Sequence, residues 1–428
     1  MLLSEIEPRA TGFATKDCRA RALRLMPTAM MDAEKTRSIA FLNWAHGLDH
    51  YVLGIYPTIV IGLQAVYQRS YSELIALSTA MFVAFGVFSL PAGWLADRWS
   101  RRGMMALFFV GCGASLATAA FAPNLVVLAL ALFALGMFAA IYHPVGTAML
   151  IEISKARGRT LAFNGVCGNL GVSLAAAITA VLASFLGWRG AFLVPAVLAV
   201  ATGVVYFLSV ADDRGTAGTR KSVPDVVLPR PAALAFFLLY VVISFAGGLT
   251  FNTIVIALPK IVQEKVGGGI DLIAVGGLAT LVFLCGAAAQ LVVGRLVERF
   301  PAHVLFGAIV SLQFAGVLWA AHAHGMVLIP ALALVMVGIY GQITVGDIVI
   351  ARYTADAWRG RVYAVRFFLT FISSAVAVSL IAYLYSRGGF DLVLAALVGA
   401  SGAFLAAVLS LVAVVSTVEA RRKVVPAE

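Results

Sequence analysis

Long apolar runs separated by short polar breaks fill this chain. Six fall near 39–66, 72–96, 103–121, 125–151, 161–186 and 188–210, and six more near 233–262, 270–295, 302–322, 326–351, 362–386 and 391–415. The stretch between the two sets, ADDRGTAGTRKSVPDVVLPRP at 211–231, is polar. About 20 residues at 1.5 Å each cross the hydrocarbon core of a bilayer. Inside lipid a helix satisfies its own backbone hydrogen bonds. The pattern predicts an all-α membrane protein with twelve transmembrane helices in two six-helix halves. Its units are a flexible cytoplasmic segment (1–38), a first bundle (39–210), a cytoplasmic linker (211–232), a second bundle (233–415) and a cytoplasmic tail (416–428).

Composition agrees with burial in lipid. Of 428 residues, 62% are hydrophobic and 12% charged, and mean hydropathy is +0.98; soluble domains carry about 25% charged residues. Residues 1–38 have no apolar core of a signal peptide. Within them RARALRLM could form a short basic amphipathic helix, or the segment is dispensable, since Met30-Met31 precedes the ordinary polar flank DAEKTR.

The net charge of +11 would suggest nucleic acid in a soluble protein, but its placement gives another reading. Of the 31 Lys and Arg, 25 lie in the N-terminal segment, the tail and the loops after spans 2, 4, 6, 8 and 10. By the positive-inside rule this puts both termini and the linker in the cytoplasm. The expected location is the cytoplasmic (inner) membrane of a bacterium, and the expected state is a monomer. The four cysteines, Cys18, Cys112, Cys167 and Cys285, stand apart with no CxxC, so they read as free thiols. No metal and no cofactor is expected.

The halves repeat. AHGLD (45–49) returns as AGGLT (246–250), YPTIV (56–60) as LPKIV (258–262), GWLADRW (93–99) as GRLVERF (294–300), and RGR (157–159) as RGR (359–361). All four displacements are 201 or 202 residues. Parallel repeats related by an axis along the membrane normal suit a transporter with its site between the halves.

The first span breaks its own apolar character. Asn43, His46, Asp49 and His50 recur at three- and four-residue spacings, which places them on one helical face. Such groups at membrane depth are costly and face a bundle interior or an aqueous cavity. They either bind substrate and relay protons, as His and a partly buried Asp can, or tie helices together. The repeat favours chemistry: the counterparts of His46 and Asp49 are Gly247 and Thr250, whereas a packing need would recur in both halves. Tyr142 and His143 before Pro144 in span 4 are further cavity candidates, with satisfaction by local backbone as the plainer reading. So are Asn164 and Asn169 (span 5), Asn252 beside Thr250 (span 7), and Tyr340, Gln342 and Asp347 (span 10). Arg366 either snorkels to the surface or meets an anionic group or Asp347 in the cavity.

The loop GWLADRWSRRGMM is similar to the loop signature of the major facilitator superfamily. Gly93, Leu95, Ala96, Asp97, Arg98, Arg101 and Arg102 match, and Ser100 stands where the family has Gly. A second copy keeps Gly294, Leu296, Glu298 and Arg299. The resemblance spans roughly 39–415 and implies a conformational latch at Gly93, Asp97 and Arg98, with spans 1, 4, 7 and 10 lining a central cavity. GWRGAF (187–192) resembles family members too. The antiporter features are absent: Leu132 stands where proton antiporters have Arg, and Gly165, Gly168 and Gly171 lack the accompanying Pro. A narrower resemblance is to the fosmidomycin-resistance-like branch, through the span-1 His with IYP (55–57), His143-Pro144 and GNLG (168–171).

No P-loop, GxSxG or HExxH occurs, so no enzyme is expected and the driving force must be a gradient. The expectation is a secondary active transporter of a small solute, coupled to protons through Asp49 and its histidines. The alternatives are a uniporter, or a non-transporting sensor or scaffold.

Overall fold

The computed structural model describes residues 13–154, 157–211, 228–267, 269–354 and 356–424. Among them the regular structure is helical: α1 (Phe13–Tyr67), α2 (Tyr71–Ala76), α3 (Ser78–Arg98), α4 (Arg101–Ala120), α5 (Leu125–Ala139), α6 (Tyr142–Ile153), α7 (Arg157–Ser209), α8 (Arg230–Val266), α9 (Leu272–Leu296), α10 (Ala302–His322), α11 (Leu328–Tyr353) and α12 (Asp356–Val424), with a 3₁₀ turn at Gly325–Val327.

Short polar residues start these helices where the sequence leaves the apolar pattern. The hydroxyl of Ser70 accepts from the Glu73 amide while Glu73 reaches back to the Ser70 amide, a capping box. Asn124 and Asp271 accept from the amides of Val127 (2.9 Å) and Ala274 (2.7 Å). Ser100 does the same for Gly103 at 2.9 Å. Its departure from the family's glycine therefore has a local use: it caps α4.

Among the described residues ten stretches are long and apolar enough to cross a membrane, taking α2 with α3 and α5 with α6 as single stretches. Two of them, at 50 and 61 residues, would be roughly 75 and 90 Å long if straight, two to three times the hydrocarbon thickness. Neither is straight. α7 leaves helical geometry at Gly187, where φ is 71°, and α12 at Gly388 and Gly389, where Gly389 has φ 59°. A side chain is strained at such φ, and glycine is not. The four arms cover the expected spans 161–186, 188–210, 362–386 and 391–415.

One expectation meets a difference, and the kink that Pro144 can impose on span 4 is present. The segment 1–38, expected to be flexible, is helical from Phe13 onward and runs without a break into the first span; its Ala, Arg, Leu, Met and Lys content suits a helix. Span 4 is broken between α5 and α6. Pro144 has no amide to bond the Ala140 carbonyl and its ring crowds that turn, so the helix restarts at Tyr142. Residues 1–12, most of the linker (212–227) and the last four residues lie outside the described residues.

α1 packs along α7 and α8 along α12. Contacts between the two sections of the chain run mainly through α7 against α9 and through α3 against α12. The crossing of α1 and α7 is backbone on backbone. A Cβ on Gly171 would sit 2.1 Å from the Gly47 carbonyl oxygen, and one on Gly47 would sit 3.2 Å from that of Cys167. Small residues permit such approach in membranes. Gly171→Val should therefore destabilise the chain by at least about 1–3 kcal/mol, the usual cost of overpacking, seen as a lower apparent melting temperature in detergent. Gly165→Ala, where a Cβ meets nothing within 4 Å, should leave it unchanged or slightly raised.

Candidate functional site

The α1–α7 crossing fixes one end of a polar cluster. His46 Nδ1 donates to the carbonyl of Asn164 at 2.8 Å, so its Nε2 keeps the lone pair in the neutral ring. A Cβ on Gly168 would fall 2.5 Å from that Nε2; the glycine leaves the space the ring occupies. Asn164 is 4% exposed. Its amide donates to Tyr142 Oη (2.9 Å) and Asn43 Oδ1 (3.0 Å), and Tyr142 donates to the Leu42 carbonyl at 3.1 Å. Asn43, Tyr142 and Asn164 thus tie α1, α6 and α7 together.

The rest of the cluster is less satisfied. Asp49 is fully buried, and neither carboxyl oxygen accepts a hydrogen bond among the described residues. His143 Nε2 stands 3.4 Å from its Oδ2, beyond a normal hydrogen bond. The rings of His46, His50 and His143 lie 5.0–5.5 Å apart, centroid to centroid. One donor atom from each of the three lies within 4.8 Å of the others. His46 also stacks on Tyr142 at 4.8 Å. The restart of α6 at Tyr142 is what presents His143 to the α1 stripe.

Beside the cluster lie two small cavities. The first, about 180 Å³, is walled by His50, Phe85 and His143 on one side and by Phe251, Asn252, Phe371 and Ser374 on the other. The second, about 160 Å³, is lined by Tyr240, Ser244, Gln342 and Arg366. His143, Phe251, Thr370 and Phe371 border both. Asn252 is held by its own helix and by α12, donating to the Gly248 carbonyl at 2.9 Å and to Ser373 Oγ at 3.1 Å. Arg366 is ion-paired with Asp347, whose backbone carbonyl accepts from Tyr363 at 3.0 Å. Of its two sequence readings, the meeting with Asp347 is the one the geometry takes.

Two expected cavity residues lie elsewhere. Asn169 bonds Gln290 of α9, which donates onward to Thr344 of α11 at 3.0 Å. Tyr340 is buried against Gly286 between α9 and α11. Neither borders either cavity: each side chain points between helices, a rotation that residue type alone does not announce.

Past one end of the first cavity, opposite sections of the chain meet through aromatic rings. Tyr71, 1% exposed, packs against Tyr385 (4.8 Å) and Phe390 (6.0 Å), with Lys260 over its ring at 5.6 Å. Lys260 pairs with Glu264 at 3.0 Å and Lys265 with Asp391 at 2.5 Å. The sequence reading passed over this group. Lys260, polar within an apolar run, was the available signal; the aromatic wall of Phe85, Phe251 and Phe371 carried none.

At the other end lie the residues expected to form a latch. Asp97 accepts from Arg101 at 2.9 Å, and Arg101 also reaches Glu152 of α6 at 2.5 Å. Arg102 donates to the Phe207 carbonyl of α7, Arg98 covers the Trp94 ring at 4.1 Å, and Gly93 lies against Pro144. These contacts stay within the first section. Glu298 and Arg299 are exposed, and a Cβ on Gly294 would meet nothing within 4 Å.

Comparison with known proteins agrees with this architecture. The model of the Major Facilitator Superfamily matches residues 39–269. A probable L-galactonate transporter of Escherichia coli (strain K12) is 27% identical over 141 residues, 32% of this chain and 31% of that protein. An uncharacterized MFS-type transporter, YfnC, of Bacillus subtilis (strain 168) is 24% identical over 165 residues, 38% of this chain and 40% of its own length. The chain therefore spans well under half of either relative in these matches. Among solved structures, a D-xylose-proton symporter superposes with a TM-score of 0.70 at 13% identity, over 87% of this chain and 96% of that one. A bacterial homolog of the human lysosomal transporter Spinster, inward-facing and unoccupied, gives 0.68 at 12% identity, over 90% and 95%. These likenesses speak for the superfamily and not for the fosmidomycin-resistance-like branch. An integral, multi-pass membrane protein, the chain belongs to the Major Facilitator Superfamily.

Proposed function

We propose that this protein is a secondary active transporter that moves a small solute by alternating access, driven by a proton gradient. The observation that carries the reading is the first cavity, enclosed between polar and aromatic side chains from both sections of the chain. A solute there touches both at once, so their relative rocking can expose it to either side in turn. In this reading the chain crosses the bilayer twelve times in two six-helix halves (39–210 and 233–415), turning back at Gly187 and at Gly388-Gly389. Both termini and the linker are cytoplasmic, as the arginine and lysine distribution requires, in the inner membrane of a bacterium. The Tyr71–Tyr385 contact then closes the outer end. Asp97, Arg98, Arg101, Arg102 and the second-half copy lie on the inner face, where the family resemblance gives them a latch role in the opposite state.

Support for proton coupling comes from two directions. The sequence holds no nucleotide-binding loop, and one structural likeness is to a D-xylose-proton symporter. Both cavities are small; the first is mainly apolar with His50, His143, Asn252 and Ser374 in its wall, and the second adds Gln342 and Arg366. With the sugar and sugar-acid names of the relatives, this points the first solute panel to sugars and sugar acids. The protein acts alone, as a monomer, and performs no chemistry on its solute.

In proteoliposomes, an imposed pH gradient should raise the initial rate of solute flux several-fold over the rate without one. Equal rates would make the protein a uniporter. Alternation has its own test, in a variant whose four native cysteines are replaced by alanine. Bridging Tyr71→Cys and Tyr385→Cys with a short, reducible bifunctional thiol reagent should abolish flux, and reduction should restore it. Undiminished flux in the bridged protein would refute opening at that end.

A further inference from the structure

We propose that His46, His50, His143 and Asp49 form a binding site for a divalent transition-metal cation of the zinc class, beside the translocation cavity. The first observation is convergence. Two histidines one turn apart on α1 meet a third from α6, with one donor atom of each within 4.8 Å of the others. The second is the state of Asp49: fully buried, at membrane depth, both oxygens without a hydrogen bond among the described residues. An ionised carboxylate left so is costly, and a cation bound to it removes the cost.

The ligand chemistry narrows the class. Three imidazoles and one carboxylate suit zinc and its first-row neighbours, whereas magnesium and calcium prefer sites of oxygen alone. Metal-bound histidines hold their second nitrogen in a hydrogen bond that fixes the tautomer, and His46 Nδ1 already donates to the Asn164 carbonyl. A tetrahedral site with bonds of about 2.0–2.1 Å has edges of about 3.3 Å. The His143–Asp49 separation of 3.4 Å is at that length, and the histidine donors must close by up to about 1.5 Å through ring rotation. An entry path exists, since His50 and His143 border the first cavity while Asp49 and His46 stand behind them. Nothing in the second half matches the set, where the equivalents of His46 and Asp49 are Gly247 and Thr250. The site's place on a transport path rests on the transporter reading; the ion binding itself does not.

The test uses the purified full chain in detergent with its affinity tag removed, so that no tag histidine competes. Titration calorimetry with zinc should give one ion per chain. His50→Ala and His143→Ala should each weaken binding at least tenfold, while Asp347→Asn, in the other half, should leave it unchanged. Excess magnesium should not compete. Cobalt on the unaltered protein should give the intense ligand-field absorption of a tetrahedral site rather than the weak absorption of an octahedral, hydrated ion, a readout that holds even if a variant fails to fold. Absence of zinc binding, an octahedral cobalt spectrum, or unchanged affinity in His50→Ala/His143→Ala would overturn the proposal. Gradient-driven flux in the presence of a chelator would then leave the transporter reading standing without it.

Discussion

The backbone contact between α1 and α7 at Gly47 and Gly171 sets the geometry of the buried polar cluster that α1, α6 and α7 share. With a carbonyl oxygen 2.1 Å from where a Cβ would be, no side chain can separate the two helices. Their closeness brings Asn164 to the Leu42 carbonyl and to Asn43, and brings His46 to the Asn164 carbonyl. Hydrogen bonds at membrane depth are modest individually. Their value here is directional: they hold three helices in one rotation, and that rotation turns Asp49 and His50 inward. Move the crossing, and the titratable stripe loses its place.

The stripe itself was legible in the sequence, because Asn43, His46, Asp49 and His50 fall on one face by spacing alone. The spans were legible as apolar runs, and the turns at Gly187 and at Gly388-Gly389 fall where two runs meet. The third histidine of the cluster was not legible as a partner. His143 is remote in sequence, and only the restart of α6 after the Pro144 interruption aims it at α1. Asn169 and Tyr340 show the complementary limit. Both were expected at the cavity because polar side chains inside a span tend to face one, yet residue type alone does not fix a helix's rotation, and each faces a helix contact instead. For Arg366 the sequence left two readings, the surface or Asp347; the packing of α11 against the first arm of α12 selects the pair.

The two ends of the cavity differ in kind. One is closed by large rings from both sections, with Tyr71 packed against the Tyr385–Phe390 pair and Lys260 above it. Such a contact is apolar at its centre and charged at its margin, so it can part into water without leaving a buried charge behind. The other end has its charges tied up inside one section, through Arg101 with Asp97 and Glu152. Asp97 keeps 66% of its side-chain exposure and is free to change partner. The latch role proposed for it in an alternate state would need this availability, which a sealed pair would lack.

The asymmetry between halves then acquires a physical meaning. In the second half the acidic group has a cation: Asp347 is neutralised by Arg366, and Tyr240 and Tyr363 brace the backbone around it. In the first half Asp49 has only a histidine at 3.4 Å and no hydrogen bond among the described residues. A pair that is already neutral can stay as it is through a conformational cycle. An unsatisfied carboxylate beside three imidazoles needs a cation, supplied as a proton or as a metal ion, and the energy of that binding is available only while the cation is present. In the proposed transport cycle, the half that departs from its own repeat is therefore the half in which occupancy by a cation would govern movement.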